Sequence, residues 1–141
     1  MHLRRAAATS LVLLLAACVH AAPRDAALND ELSAAAAEAG DGGSITLADH
    51  AAVEADEVVV VAAGTEARDT AEALGLRPPR QAVAPVAEGV AALIAFRAAD
   101  GGLVWSTIDT DDLDLDLDGT YPADLAVTVT EDGDRLVLSQ D

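Results

Sequence analysis

The sequence predicts an α+β domain: a small, mostly antiparallel sheet of about five strands with two helices packed on one face. The β-branched run Glu57–Ala62 does not alternate with polar residues, which is typical of a strand buried on both faces. Apolar segments flank both Asp100-Gly101-Gly102 and Asp132-Gly133-Asp134, and a glycine turn between two such segments indicates a β-hairpin. Hairpins combined with separate helices favour the α+β class.

The first predicted helix runs from Ala26 to about Ala39, with Asp25 as its N-cap and Gly40, in the left-handed αL conformation, as its stop. An apolar stripe at helical spacing supports it: Leu28, Leu32, Ala35 and Ala39. The second predicted helix starts after Gly64-Thr65, with Thr65 as its cap, and ends near Leu74 with Gly75 beyond it. We expect the proline- and arginine-containing segment Leu76–Pro85 to be an irregular loop.

The remaining strands are predicted in the same way. Ile45–Leu47 is expected to form a short strand before the buried strand Glu57–Ala62. Two hairpins then follow, each made of two apolar segments: Val90–Ala98 with Leu103–Ile108, and Leu125–Glu131 with Arg135–Ser139.

The N-terminus has the pattern of an export signal. Met1–Arg5 is cationic, and Ala6–Ala17 is apolar with only Thr9 and Ser10 as polar interruptions. As a helix the apolar run would span about 18 Å, short of the ~30 Å hydrocarbon core of a bilayer. Residues 1–17 are therefore predicted to be a signal peptide rather than a transmembrane anchor.

The sequence Leu15-Ala16-Ala17-Cys18 resembles the lipobox of bacterial lipoproteins. This resemblance implies cleavage before Cys18, a diacylglycerol on its thiol, and a further acyl chain such as palmitate on the new amine. It implies an extracytoplasmic protein, held on the outer membrane of a diderm cell or the surface of a monoderm. The alternative is an ordinary secretory signal with a chance cysteine nearby.

Removal of 17 of the 141 residues leaves 124, which we divide into a lipidated tether, residues 18–24, and a single small domain, residues 25–141. Cys18 is the only cysteine, so no disulfide within the chain is expected. Six arginines against 25 acidic residues give the mature chain a side-chain charge of −19. Such a charge repels nucleic-acid phosphates and anionic lipid headgroups, and it argues against nucleic-acid binding.

A second, weaker resemblance covers about half of the mature chain. The pattern consists of acidic Asp56, the strand Glu57–Ala62, the turn Gly64-Thr65, a helix ending in Leu74-Gly75, and the hairpin Val90–Ile108. It is similar to small uncharacterised bacterial lipoproteins, which often carry aromatic residues where this chain has Ala55 and Ala63. The resemblance does not bring a known activity to this chain.

The segment Asp109–Gly119 is rich in aspartate. Asp114, Asp116, Asp118 and Gly119 fit the first half of a D-x-D-x-D-G calcium loop, but Leu125 stands where its bidentate glutamate belongs. The alternative is a solvated strand with its leucines facing the core. Alternate carboxylates on a strand lie about 6.8 Å apart, too far to share one cation at about 2.3–2.6 Å. Calcium binding through these aspartates therefore requires a curled loop.

No pattern of catalytic residues is present in the sequence, so we do not expect an enzyme. His50 lies near Asp49 and Glu54, but surface polar residues are the favoured interpretation over a metal site. The expected function is a non-catalytic envelope or interaction module bound to a membrane through Cys18, with an unidentified protein partner. A weak calcium-binding module and an enzyme without recognisable motifs are the alternatives. No cofactor is expected for the favoured function, and calcium is the cofactor of the first alternative.

Overall fold

The computed structural model describes residues 23–140 and has the α+β architecture expected from the sequence. Within these residues it has three helices and two four-stranded sheets, more than the predicted two helices and single sheet of about five strands. The helices are α1 (Leu28–Ala39), α2 (Ala67–Leu74) and α3 (Arg80–Ala87). The strands are β1 (Ser44–Thr46), β2 (Glu57–Val61), β3 (Ala91–Arg97), β4 (Leu103–Asp109), β5 (Asp114–Asp116), β6 (Gly119–Pro122), β7 (Ala126–Asp132) and β8 (Arg135–Ser139).

The first sheet has the strand order β4-β3-β2-β6, and all its neighbours are antiparallel. The second sheet has the order β1-β7-β8-β5, in which only the β5–β8 pair is parallel. Both predicted hairpins are present, as β3–β4 and β7–β8. The predicted short strand before β2 is present as β1, one residue earlier than expected.

Strand β2 is buried on both faces, as the unbroken β-branched run predicts. Val58 and Val60 belong to the core that α1 and the second sheet also line. Val59 and Val61 face the opposite side, where they pack in a second cluster with residues of α2 and α3. The first sheet is therefore the middle layer of the domain, with α2 and α3 covering its outer face.

Helix α1 starts two residues later than predicted, because Asp25 does not cap it. The Asp25 carboxylate accepts a hydrogen bond from the Ala27 N–H at 3.2 Å, while Ala27 occupies the N-cap position. Leu28, Leu32 and Ala36 are buried at four-residue spacing. Gly40 ends the helix with φ 72°, a conformation that favours glycine, and its N–H donates to Ala36 O at 3.1 Å.

Helix α2 ends as predicted but begins differently. Gly75 adopts the left-handed conformation at its C-terminus, with φ 73° and ψ 16°. The prediction of Thr65 as the cap is wrong, since Glu66 occupies that position. The Thr65 hydroxyl instead donates to Ala62 O at 2.7 Å. Thr65 thus fastens the turn after β2 rather than the start of the helix.

Helix α3 lies where an irregular loop was predicted, so the expectation for Leu76–Pro85 is wrong from Arg80 onward. Ala82 and Val86 are buried at helical spacing against the outer face of the first sheet. Pro85 lies inside the helix, where it lacks the N–H that would continue the hydrogen-bond ladder. Burial of the apolar stripe outweighs this local cost, which a sequence reading dominated by proline cannot anticipate.

The predicted signal peptide, residues 1–17, and the tether residues 18–22 lie outside the described residues. Cys18 is among them, so its predicted lipidation stays a prediction. Between residues 23 and 140, no helix has the length and apolar character needed to cross a membrane.

Candidate functional site

The aspartate segment is extended where it forms β5. Leu113, Leu115 and Leu117 are all buried and belong to the core between the two sheets. Asp114–Asp116 pairs in parallel with β8, with Leu115 opposite Leu138. This arrangement has the leucine-inward geometry of the strand alternative, and its aspartates alternate with the buried positions.

Three aspartates of the segment contact groups elsewhere in the domain. Asp112 Oδ2 accepts a hydrogen bond from Asn29 Nδ2 at 3.0 Å. Asp114 Oδ2 lies 3.8 Å from Arg135 Nη2. Asp118 Oδ1 accepts from the Ala62 N–H at 3.2 Å, immediately after β2. These contacts connect the segment to α1, β8 and β2.

Two of the three predicted calcium ligands line one cleft. Asp116 and Asp118 border an open cleft of about 320 Å³ together with Tyr121 and Gln140. The Tyr121 hydroxyl donates to Asp118 O and accepts from the Asp118 N–H, each at 3.1 Å. In the part of the chain that the structure describes, no group of three or more His, Cys, Asp or Glu side chains is arranged to hold a metal ion.

His50 ends the 3₁₀ helix Leu47–His50, so it does not share a helical face with Glu54. Its Nδ1 lies 3.4 Å from Glu31 Oε1 of α1. The imidazole therefore joins this turn to α1, a contact between residues 19 positions apart that the sequence did not indicate.

The N-terminal segment is fastened to the edge of the first sheet. The backbone N–H of Trp105 donates to Pro23 O at 3.0 Å, and the backbone N–H of Asp25 donates to Trp105 O at 2.8 Å. Arg24 forms a parallel bridge with Trp105, and its guanidinium lies 5.8 Å from the indole ring centroid, within range of a cation–π interaction. The chain therefore enters the domain at a fixed point beside β4, an edge strand.

A second open cleft lies beside this entry point, and we name it the entry cleft. Its volume is about 680 Å³. Arg24 forms one side, Thr107 and Asp109 of β4 contribute from the sheet, and α3 contributes Arg80, Gln81, Ala84 and Pro85. The sequence did not indicate this cleft, because residues 80–85 were expected to be a loop and the cleft joins segments more than 80 positions apart.

Comparison of the chain with protein-family models, with curated proteins and with solved structures finds no match.

Proposed function

We propose that this chain is the precursor of a bacterial lipoprotein, exported by residues 1–17 and anchored to the membrane through Cys18. The observation that carries the proposal is Leu15-Ala16-Ala17-Cys18 directly after a cationic and then apolar N-terminus. The order of these segments is the one that export and lipid attachment require. A chance cysteine after an ordinary secretory signal is the competing explanation.

The energetics of the anchor fit this proposal. Each buried methylene contributes about 0.8 kcal/mol, so a single acyl chain holds a protein marginally and two or more chains hold it stably. Diacylglycerol on Cys18 would supply two chains. No additional membrane-spanning segment is then required for permanent attachment.

For the domain itself we propose a non-catalytic envelope or interaction module. Support comes from the aspartate segment, where Asp112, Asp114 and Asp118 contact side chains or backbone of other elements. These contacts give the most conspicuous polar segment of the sequence a structural role. The alternative of an enzyme has no comparable observation in its favour.

Calcium binding by the aspartate segment is the second candidate. The observation that favours it is the cleft shared by Asp116 and Asp118. The extended path of β5 and the ion pair between Asp114 and Arg135 argue against a loop in which all three carboxylates converge. Any affinity through two carboxylates would fall at the weak end of the range for extracellular sites, about 10⁻⁴–10⁻³ M.

Metabolic labelling with an alkyne fatty acid tests the anchor. We expect wild-type protein to be labelled and to sediment with membranes, whereas Cys18→Ser is neither labelled nor membrane-bound. Ser10→Ala, a substitution of similar size within the apolar run, serves as the matched control and retains the label. Equal labelling of wild type and Cys18→Ser, or none in either, would contradict lipidation at Cys18.

A further inference from the structure

We propose that the anchored domain faces the membrane with its entry cleft, where Arg24 and Arg80 contact phospholipid headgroups. This inference rests on the proposed lipidation of Cys18. It adds an orientation and a partner surface that an anchor alone does not specify.

The chain between the lipid and the domain is short. Four residues separate Cys18 from Pro23, and five consecutive Cα steps span at most about 18 Å when fully extended. Pro23 is hydrogen-bonded to Trp105 at the edge of the first sheet. The surface around Pro23 and Arg24 therefore cannot move far from the membrane that holds the lipid.

Acidic residues are unevenly distributed over the domain. Residues 64–90, which include α2 and α3, together with Arg24, Asp25 and the cleft residue Asp109 carry four arginines and six acidic residues. The rest of the mature chain carries two arginines and 19 acidic residues. With the helical layer towards an anionic bilayer, the acidic part of the domain lies farther from the lipid phosphates, which reduces repulsion.

The entry cleft itself has two arginines in its lining. Arg24 and Arg80 lie on different segments and border the same open cleft, where Asp109 is the one acidic lining residue. Arginine side chains bind phosphate oxygens with two hydrogen bonds at once. Phospholipid headgroups present such phosphates in a layer. Because the cleft is open, its arginines can reach these phosphates.

An exposed apolar residue accompanies the arginines. Val90 is 54% exposed, and its N–H donates to the carbonyl of Pro85, a lining residue of the cleft, at 3.1 Å. Its carbonyl accepts from the Thr110 hydroxyl at 3.1 Å. Val90 is thus positioned beside the cleft, where contact with a lipid interface would remove apolar surface from water.

Fluorescence quenching by headgroup-labelled lipid tests the orientation. Because lipid occupies the Cys18 thiol, an introduced cysteine provides the single site for a fluorophore. Gln81→Cys places it at the entry cleft. Gln140→Cys, the same substitution, places it at the cleft shared by Asp116, Asp118 and Tyr121, and Tyr121 belongs to β6, the opposite edge strand of the first sheet. The lipidated protein is reconstituted in phosphatidylethanolamine–phosphatidylglycerol vesicles.

We expect the ratio of quenching at position 81 to quenching at position 140 to be well above one. Arg24→Gln combined with Arg80→Gln lowers this ratio, with unchanged far-UV circular dichroism as the check on folding. Equal quenching at both positions, or an unchanged ratio in the double variant, would overturn the proposal. Failure of lipidation is distinguishable, because the protein would then not float with the vesicles.

Discussion

At the scale of single residues, Asp118 is an aspartate of the segment whose carboxylate and backbone both form hydrogen bonds within the domain. Its Oδ1 accepts the Ala62 N–H at the end of β2, and its backbone is bonded to the Tyr121 hydroxyl. Because it accepts this backbone N–H, the Asp118 carboxylate has a structural role although the residue is exposed. Asp111 is also exposed and provides a comparison within the same segment.

We predict that Asp118→Ala lowers the free energy of unfolding by about 1 kcal/mol, since it removes a hydrogen-bond acceptor. Asp118→Asn retains Oδ1 as an acceptor and should restore most of the loss. Asp111→Ala, the matched control, is expected to change stability by less than about 0.5 kcal/mol. Urea denaturation measures all three, and equal effects of the two alanine variants would contradict the role of Asp118.

Some residue-level predictions succeeded because their cause is local. Gly75 ends α2 in the left-handed conformation, which the sequence predicts from glycine's freedom at such positions. Gly40 also ends its helix with positive φ, but its ψ of 174° lies outside the predicted left-handed region. Thr65 failed as a cap because its hydroxyl found a carbonyl three residues earlier. Ser and Thr side chains compete between such local acceptors, and only the folded turn decides which one is reached.

At the scale of elements, α3 is the clearest departure from expectation. Pro85 and Arg80 indicate a loop locally, yet Ala82 and Val86 pack on the outer face of the first sheet. The sheet face that receives them is formed by β2, β3 and β4, which come together only in the folded sheet. Tertiary packing therefore determines α3, whereas β2 and the two hairpins were predictable from strand patterns and glycine turns.

We predict that Val86→Ala lowers the free energy of unfolding by about 2 kcal/mol, because it removes buried methyl groups from the layer between α3 and the sheet. Val83→Ala makes the same change at a half-buried position of the same helix and should cost clearly less. Thermal or urea denaturation provides the measurement. Equal losses would contradict the packing of this helix.

Strand β5 bears on the calcium alternative. If its aspartates form an extended solvated surface, calcium and magnesium at equal concentration should raise the melting temperature equally, by screening repulsion. In Asp116→Asn and in Asp111→Asn, the shift in melting temperature with calcium should then still equal the shift with magnesium. A specific site would instead prefer calcium and lose that preference in Asp116→Asn alone. At ten times its Kd, selective calcium binding would add about 1.4 kcal/mol.

At the scale of the whole molecule, the net charge of −17 is unevenly distributed between the helical layer and the rest of the chain. The sequence alone establishes the magnitude of this charge. It could not predict the uneven distribution, because this depends on α2 and α3 covering the same sheet face beside Arg24. The entry cleft has the same origin, in segments far apart along the chain.

We predict that monovalent salt stabilises the domain. Between about 0.01 and 0.15 M the Debye length falls from about 30 to about 8 Å, so repulsion among the carboxylates weakens. The melting temperature should therefore rise over this range. Potassium chloride should give the same shift as sodium chloride, since screening depends on ionic strength. A constant or falling melting temperature would contradict a stability limited by self-repulsion.

The most direct test of the account is the intact mass of the protein purified from membranes. We expect a chain that begins at Cys18 and carries the added mass of a diacylglycerol with or without a further acyl chain. Fragmentation should place the added mass on Cys18. A chain that retains residues 1–17, or one with an unmodified Cys18, would contradict the lipoprotein assignment.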